Sequence, residues 1–298
     1  MYFHSSVISM LKKQYQQHFQ AIFTKKTHKV FNKTELQKLF EEQKSQIRIR
    51  SYNLTKFINL LTQLSILKEC HFNFSNNDNS QEKTKYLFDK PDNNELIYGL
   101  GKNPYLSFET ALFYHGLLKK EPKVNSVTIE QSFKKSVVKV LEQDRINHAF
   151  SQEAKMSNTI ASYGKMKWII HNGMYTGNIG LCDFGANPNI KITDLERTIL
   201  DVTVRATFVG GPEKVLEFYK KVKGRISTQN LLSLLDQINY TYPYHQAIGF
   251  YLDKAGYDLN EYKSFKEIPM RYDFYLDYGM EENNYSEKWK VYYPSDLI

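Results

Sequence analysis

Glu196, Arg197 and Asp201 place an acid, a base and a second acid within a turn and a half of a helical stretch. Such a cluster could serve acid/base chemistry. An arginine set between two carboxylates, however, keeps both ionised and makes either a poor general acid. Arg197 and Asp201, four apart, suit an ion pair on one helical face better. Glu153 and Lys155 form the E-x-K end of a metal-dependent nuclease core, but no upstream acid is well placed to complete it. His115 has no second ligand at a metal-binding spacing. The two cysteines, Cys70 and Cys182, form neither a CxxC pair nor a Cys/His cluster. A phosphate-binding glycine loop, GxSxG, HExxH and a glycine-rich dinucleotide turn are all absent. No catalytic residue, metal or cofactor is therefore expected.

A second group carries another kind of chemistry. Arg48, Arg50, Ser51 and Tyr52 precede an apolar-periodic stretch on which Asn53, Lys56, Asn59 and Gln63 recur at spacings of 3, 3 and 4. Lysine and arginine bind phosphates. The amides of asparagine and glutamine match the paired donor and acceptor of adenine. Lys83 and Lys85 follow on a strand-like segment. The charge distribution agrees. Residues 1–90 hold 15 Lys+Arg and 7 Asp+Glu, a net of +8, and residues 91–298 hold 25 of each. All of the formal excess lies in the first third, as expected when one module meets a polyanion and the other does not.

The elements that would position these groups can be read from periodicity. Residues 5–23 form an amphipathic helix with Val7, Leu11, Tyr15, His18 and Ile22 on one side, polar enough opposite to favour packing on a module over a membrane surface. Asn32 and Glu35 form a capping box for a helix that buries Leu36, Leu39 and Phe40. A further helix begins at Ser51–Asn53 and buries Leu54, Phe57, Ile58, Leu61 and Leu64. Residues 65–74 and 83–90 read as strands joined by a polar loop, 75–82. Three helices, a strand, a polar loop and a strand is the order of a winged helix-turn-helix, with the last helix shaped for the major groove. A protein-binding winged-helix module is the alternative use of the same order.

Residues 89–104, with Pro91, Pro104 and several Asp and Asn, mark a boundary, giving domains 1–90 and 91–298. Beyond it Ser107 is placed to cap a helix that contains Ala111 and Leu112 and closes at His115 and Gly116. Residues 124–131 read as a strand. Residues 146–185 read as short strands with turns at Asn172-Gly173 and Gly177. Residues 192–211 follow, with Thr193 and Glu196 as a capping box, an apolar stripe of Leu195, Ile199, Val202 and Ala206, and Gly210-Gly211-Pro212 as the stop. Helices over 212–224, 228–238 and 244–255 come next, and the tail ends in a strand-like WKVYY. The larger part is thus a mixed α/β domain, strands first and then helices, and the chain as a whole is α+β.

At 41% apolar and 24% charged residues the composition is globular. The opening MYFHSSVISMLKK has no basic region followed by an apolar core. No run approaches 18 apolar residues, so a cytoplasmic protein is expected.

Tyr105-Leu106-Ser107 with Ala111-Leu112 and His115-Gly116-Leu117, followed by Thr193-Asp194-Leu195-Glu196-Arg197-Thr198-Ile199-Leu200-Asp201, resembles the segments that mark the AbiEi antitoxin family of type IV toxin–antitoxin systems, predicted regulators of viral defence. The resemblance spans nearly the whole chain. It implies a winged helix that binds inverted repeats of double-stranded operator DNA and represses its own operon, an arrangement that a dimer on DNA would suit. It also implies a larger domain opposing a nucleotidyltransferase-like toxin without a stable complex. On that reading Ser107, His115, Gly116, Thr193, Glu196, Arg197 and Asp201 are structural family marks. The alternative in a phage-defence setting is a metal-dependent nuclease at Glu153 and Lys155.

Overall fold

A computed structural model describes residues 2–45, 51–77, 79–134, 140–185 and 187–297, with side chains from residue 12 onward. Its elements in chain order are α1 (Tyr2–Thr24), β1 (Val30–Phe31), α2 (Lys33–Gln43), α3 (Leu54–Gln63), β2 (Leu67–Asn76), β3 (Asn79–Phe88), β4 (Tyr105–Leu106), α4 (Phe108–Tyr114), β5 (Asn125–Glu130), α5 (Gln143–Phe150), β6 (Thr159–Tyr163), β7 (Met166–Gly173), β8 (Leu181–Phe184), β9 (Asn187–Thr193), α6 (Leu195–Val204), α7 (Pro212–Val222), α8 (Thr228–Ile238), α9 (Tyr244–Lys254), α10 (Leu259–Glu267), β10 (Phe274–Tyr275), β11 (Asn283–Ser286) and β12 (Val291–Pro294). The class is mixed α+β. None of the described helices is long and apolar enough to cross a membrane.

Two compact units emerge, and neither is one continuous piece of chain. Unit 1 comprises residues 1–104, 158–170 and 185–190; unit 2 comprises 105–157, 171–184 and 191–298. By sequence, unit 1 carries 18 Lys+Arg against 9 Asp+Glu, and unit 2 carries 22 against 23. The charge contrast read from the halves of the sequence is sharper between these units, at +9 and −1.

In unit 1, α1, α2 and α3 enclose an aromatic core. Phe19 and Phe23 of α1 are buried there with Leu36, Leu39 and Phe40 of α2 and Phe57, Ile58 and Leu61 of α3. Phe19 meets Phe57 edge-on at 5.5 Å between ring centroids. Phe19 and Phe23, which the sequence stripe omitted, are the inward residues of α1; Val7 and Leu11 fall where no side chain is described. Asn32 and Glu35 form the expected capping box of α2. Beneath the helices, β1 pairs with β3 and β3 with β2, both antiparallel. On its other edge β2 pairs with β6, which turns back into β7.

The polar stretch 75–82 is not a loop. Ser75 pairs with Ser80 and Asn76 with Asn79, so the ladder runs out to those residues. Ser75 and Asn76 also pair with Ile160 and Thr159. Partner strands on both sides satisfy the backbone here, and that outweighs the weak β-propensity of serine and asparagine.

Unit 2 is largely helical around one apolar core that includes Ile199, Leu200, Val202, Phe218, Tyr219, Leu231, Phe250, Tyr251 and Trp289. Helix α8 has the bounds read from its sequence, capped by Ser227. Three expectations are corrected. Residues 143–150, including the stretch INHAF read as strand, form helix α5, whose Ile146 and Phe150 face the core four residues apart. Asn172 and Gly173 end strand β7 rather than make a turn; the Gly173 amide region runs beside β5, where a Cβ would stand 2.8 Å from the Thr128 methyl. Helix α10, which the sequence reading passed over, is opened by a capping box of Asp258 and Glu261.

Candidate nucleic-acid interface

Helix α3 is held by its inner stripe and started by Asn53, whose Oδ1 accepts from the Lys56 backbone N–H at 2.9 Å. The cap fixes where the helix begins. It also holds the Asn53 amide against its own backbone, while the side-chain oxygen keeps a second lone pair and the NH2 its donors. Ser51, Lys56, Asn59 and Gln63 are exposed, whereas Tyr52 is half-buried against the unit's core. Arg48 and Arg50 lie outside the described residues. The helix sequence LTKFINLLTQ has no carboxylate. Its outward face is therefore cationic and amide-bearing, without a like-charge penalty toward phosphate.

Most carboxylates of unit 1 are engaged elsewhere. Glu35 lies 3.2 Å from His28 Nε2, and its carboxyl is held below the usual range against the raising effect of burial. Glu69 and Glu82 lie 3.7 and 3.3 Å from the two nitrogens of His71. Asp89 and Glu95 face Lys29 at 4.0 and 3.8 Å. Lys56, by contrast, makes no ion pair among the described residues.

The structure separates the hairpin lysines from α3. Directly paired residues share a sheet face and neighbours along a strand alternate. Leu67, Tyr86 and Phe88 belong to the core that α3 closes. Lys83 and Lys85 have the opposite parity, opposite Phe72 and Cys70, and so lie on the face turned away from α3. Lys83 stacks over the Phe74 ring at 4.4 Å. Lys85 is half-buried, and burial, then Lys83, lowers its affinity for a proton. Lys83 and Lys85 therefore do not join Lys56, Asn59 and Gln63 in one contact surface.

In unit 2 the family-mark residues build an internal scaffold. The cap of α6 is Asp194, not Thr193: Asp194 Oδ1 accepts from Arg197 N at 2.7 Å. Thr193 is buried, its hydroxyl 2.8 Å from that of Thr198. Glu196 does not reach back to a cap but accepts from Ser227 N at 2.9 Å, starting α8. Arg197 and Asp201 do pair, Nε donating to Oδ1 at 2.7 Å, yet at 3% and 7% exposure they are not displayed on a polar face. Arg197 Nη1 also donates to Ile179 O at 2.5 Å and Thr176 Oγ1 at 3.3 Å. Thr176 N donates to Glu130 at 2.9 Å. Gly180, at φ +72°, leaves room for this arginine: a Cβ there would stand 2.7 Å from Arg197 Cβ. Burial raises the Asp201 carboxyl, and the guanidinium pulls it back down.

Ser107 sits at the cap position of α4 but makes no cap bond; its hydroxyl meets Thr128 Oγ1 at 2.7 Å in a fully buried place. His115 Nε2 donates to Thr193 O at 2.7 Å, tying the end of α4 to the start of α6, and Gly116 turns the chain at φ +75°. The polar groups of this set are bonded to partners within unit 2.

Glu153 and Lys155 are exposed on the irregular stretch after α5. Among the described residues no three His, Cys, Asp or Glu side chains group to hold a metal. A cleft of about 250 Å³ in unit 2 is lined by Tyr240, Tyr242, Tyr244, Tyr272, His245 and Arg271; the sequence reading missed it, because its residues come from the α8–α9 linker, the start of α9 and the segment after α10. No family model matches the chain, and comparison with curated proteins returns no match.

Proposed function

We propose that unit 1 is a winged helix that binds double-stranded DNA through α3, and that the chain is an antitoxin of the AbiEi type repressing its own operon. The observation that carries the DNA-binding part is the exposed, carboxylate-free face of α3 in the unit that holds the chain's charge excess. The order α1, β1, α2, α3, β2, β3, with β1 added to the hairpin edge, supports the winged-helix reading. Lys56 contacts phosphate; Asn59 and Gln63 reach base edges; Asn53 positions the helix. The antitoxin part rests on the resemblance of residues 105–117 and 193–201 to the family's marks. The scaffold role of those residues fits a domain that acts through its surface, with a nucleotidyltransferase-like toxin as its counterpart.

Gel shifts on the intergenic DNA upstream of the gene test the first part. Binding should weaken steeply between 50 and 200 mM salt, because each phosphate contact releases counterion. Unshifted DNA at low salt with folded protein refutes it. Co-expression with a nucleotidyltransferase-like toxin tests the second: growth must be rescued by the full chain.

A further inference from the structure

We propose that the β6–β7 hairpin is a second backbone-binding element of the same interface, with Lys167 and Lys165 as phosphate ligands. The inference rests on the DNA-binding reading of unit 1 and assigns that interface a part remote in sequence. Ser162 pairs with Asn73 of β2, and Lys167 pairs with Ser162. Asn73 has the parity of Leu67, so Lys167 stands on the sheet face that carries α3, the face that Lys83 and Lys85 do not share.

The hairpin is two-sided. Its other face anchors it: Tyr163 stacks on Phe72 at 4.8 Å, Trp168 lies 6.0 Å from the same ring, and Ala161 is fully buried. That leaves Ser162 and Lys167 on the α3 side. Gly164 and Lys165 make the turn, with φ +58° at Gly164 and not at Lys165, the pattern of a tight two-residue hairpin turn. Lys165 and Lys167 are exposed and form no ion pair among the described residues. Glu69 and Glu82, the carboxylates of the same sheet face, flank His71 on β2 and β3, with β6 between them and Lys167. Strand β7 runs two strands out from β2, about 10 Å. That offset matches the ~12 Å width of a major groove, so a duplex whose groove holds α3 brings a flanking backbone over the hairpin.

The occupant is the phosphate backbone of duplex DNA, and counterion release measures it. Fluorescence anisotropy is recorded with a labelled duplex of the upstream intergenic sequence from 50 to 300 mM salt. Wild type is compared with Lys165→Ala/Lys167→Ala, with Lys167→Glu, and with Lys220→Ala/Lys266→Ala, which removes equal charge from unit 2. We expect the first variant to lower the slope of log K against log salt by about 1.8, at about 0.9 per phosphate. Lys167→Glu should weaken binding further, and the unit 2 variant should keep the wild-type slope. Wild type that binds while the hairpin variants match its slope overturns the hairpin's part alone. Wild type that fails to bind at low salt overturns the DNA-binding reading on which it rests.

Discussion

Replacing Arg197 by alanine should destabilise unit 2 rather than disable a reaction. The substitution removes the Nε bond to Asp201, the Nη1 bonds to Ile179 O and Thr176, and the cation paired with a carboxylate that is 7% exposed. Stranding one partner of a buried pair costs about 3–5 kcal/mol. For a folding unit of this size each kcal/mol lowers the melting temperature by roughly 2–4 °C, so a drop of about 6–20 °C is expected. pH supplies a signature. In the variant burial, joined by Glu130 and Asp194, acts on Asp201 with no guanidinium to oppose it, which raises its carboxyl further. A group whose folded pKa is raised is more stable protonated, so the deficit is fully present above that raised pKa and shrinks as pH falls through it. Arg197→Met/Asp201→Leu, which removes both charges at similar volume, should recover most of the loss. Calorimetry of the full chain at pH 8 and pH 5 makes the measurement, with antitoxicity scored alongside. An Arg197→Ala protein that melts within 2 °C of wild type refutes the scaffold argument; if it had also lost antitoxicity, residues 193–201 would be a functional surface.

Lys56→Ala should weaken DNA binding by a similar factor on every sequence and flatten the salt slope by about 0.9, read by anisotropy on operator and scrambled duplexes. Asn59→Ala or Gln63→Ala should instead narrow the gap between those two duplexes, by about 1–3 kcal/mol per lost base contact. Asn53→Ala should cost about 1 kcal/mol of stability through the lost cap, visible in a denaturant midpoint before any DNA is added. Gly249→Ala places a Cβ 2.0 Å from the buried Trp289 ring, so a loss at the upper end of the ~1–3 kcal/mol overpacking range is expected, followed by thermal melts. His171 and His245 are each driven down to about 4 by burial. A lowered histidine must be neutral to fold, so stability should fall as pH drops from about 6.5 toward 4, and His171→Phe should flatten that decline.

Local chemistry was legible where a single side chain decides an element. Asn32 with Glu35, Ser227 before α8 and Gly116 after α4 are each the best residue for their position, and the helices begin or end there. The reading slipped where neighbours compete. Thr193 and Asp194 are both good caps, and burial of the threonine decided for the aspartate. Strand pairing over 73–76 depends on residues 159–162, some 85 positions away, so no local pattern could announce it. The candidate interface divides the same way. Spacing found Lys56, Asn59 and Gln63 because they share a helix with its own period. It grouped Lys83 and Lys85 with them because sheet parity is set by pairing, and it passed over Lys165 and Lys167 because only the fold returns them to β2.

The return of residues 158–170 to the outer edge of β2 bears on how portable unit 1 is. A fragment ending at Pro104 would contain every helix of unit 1, yet the backbone N–H and C=O groups of Asn73–Asn76 that β6 engages would face water as a bare strand edge. Bare edges invite pairing with other chains, and Phe72 would lose the rings of Tyr163 and Trp168. Such a fragment should self-associate. Grafting unit 1 onto another domain, by evolution or in the laboratory, would have to carry the hairpin along, so exchange by simple end-to-end fusion is closed to it.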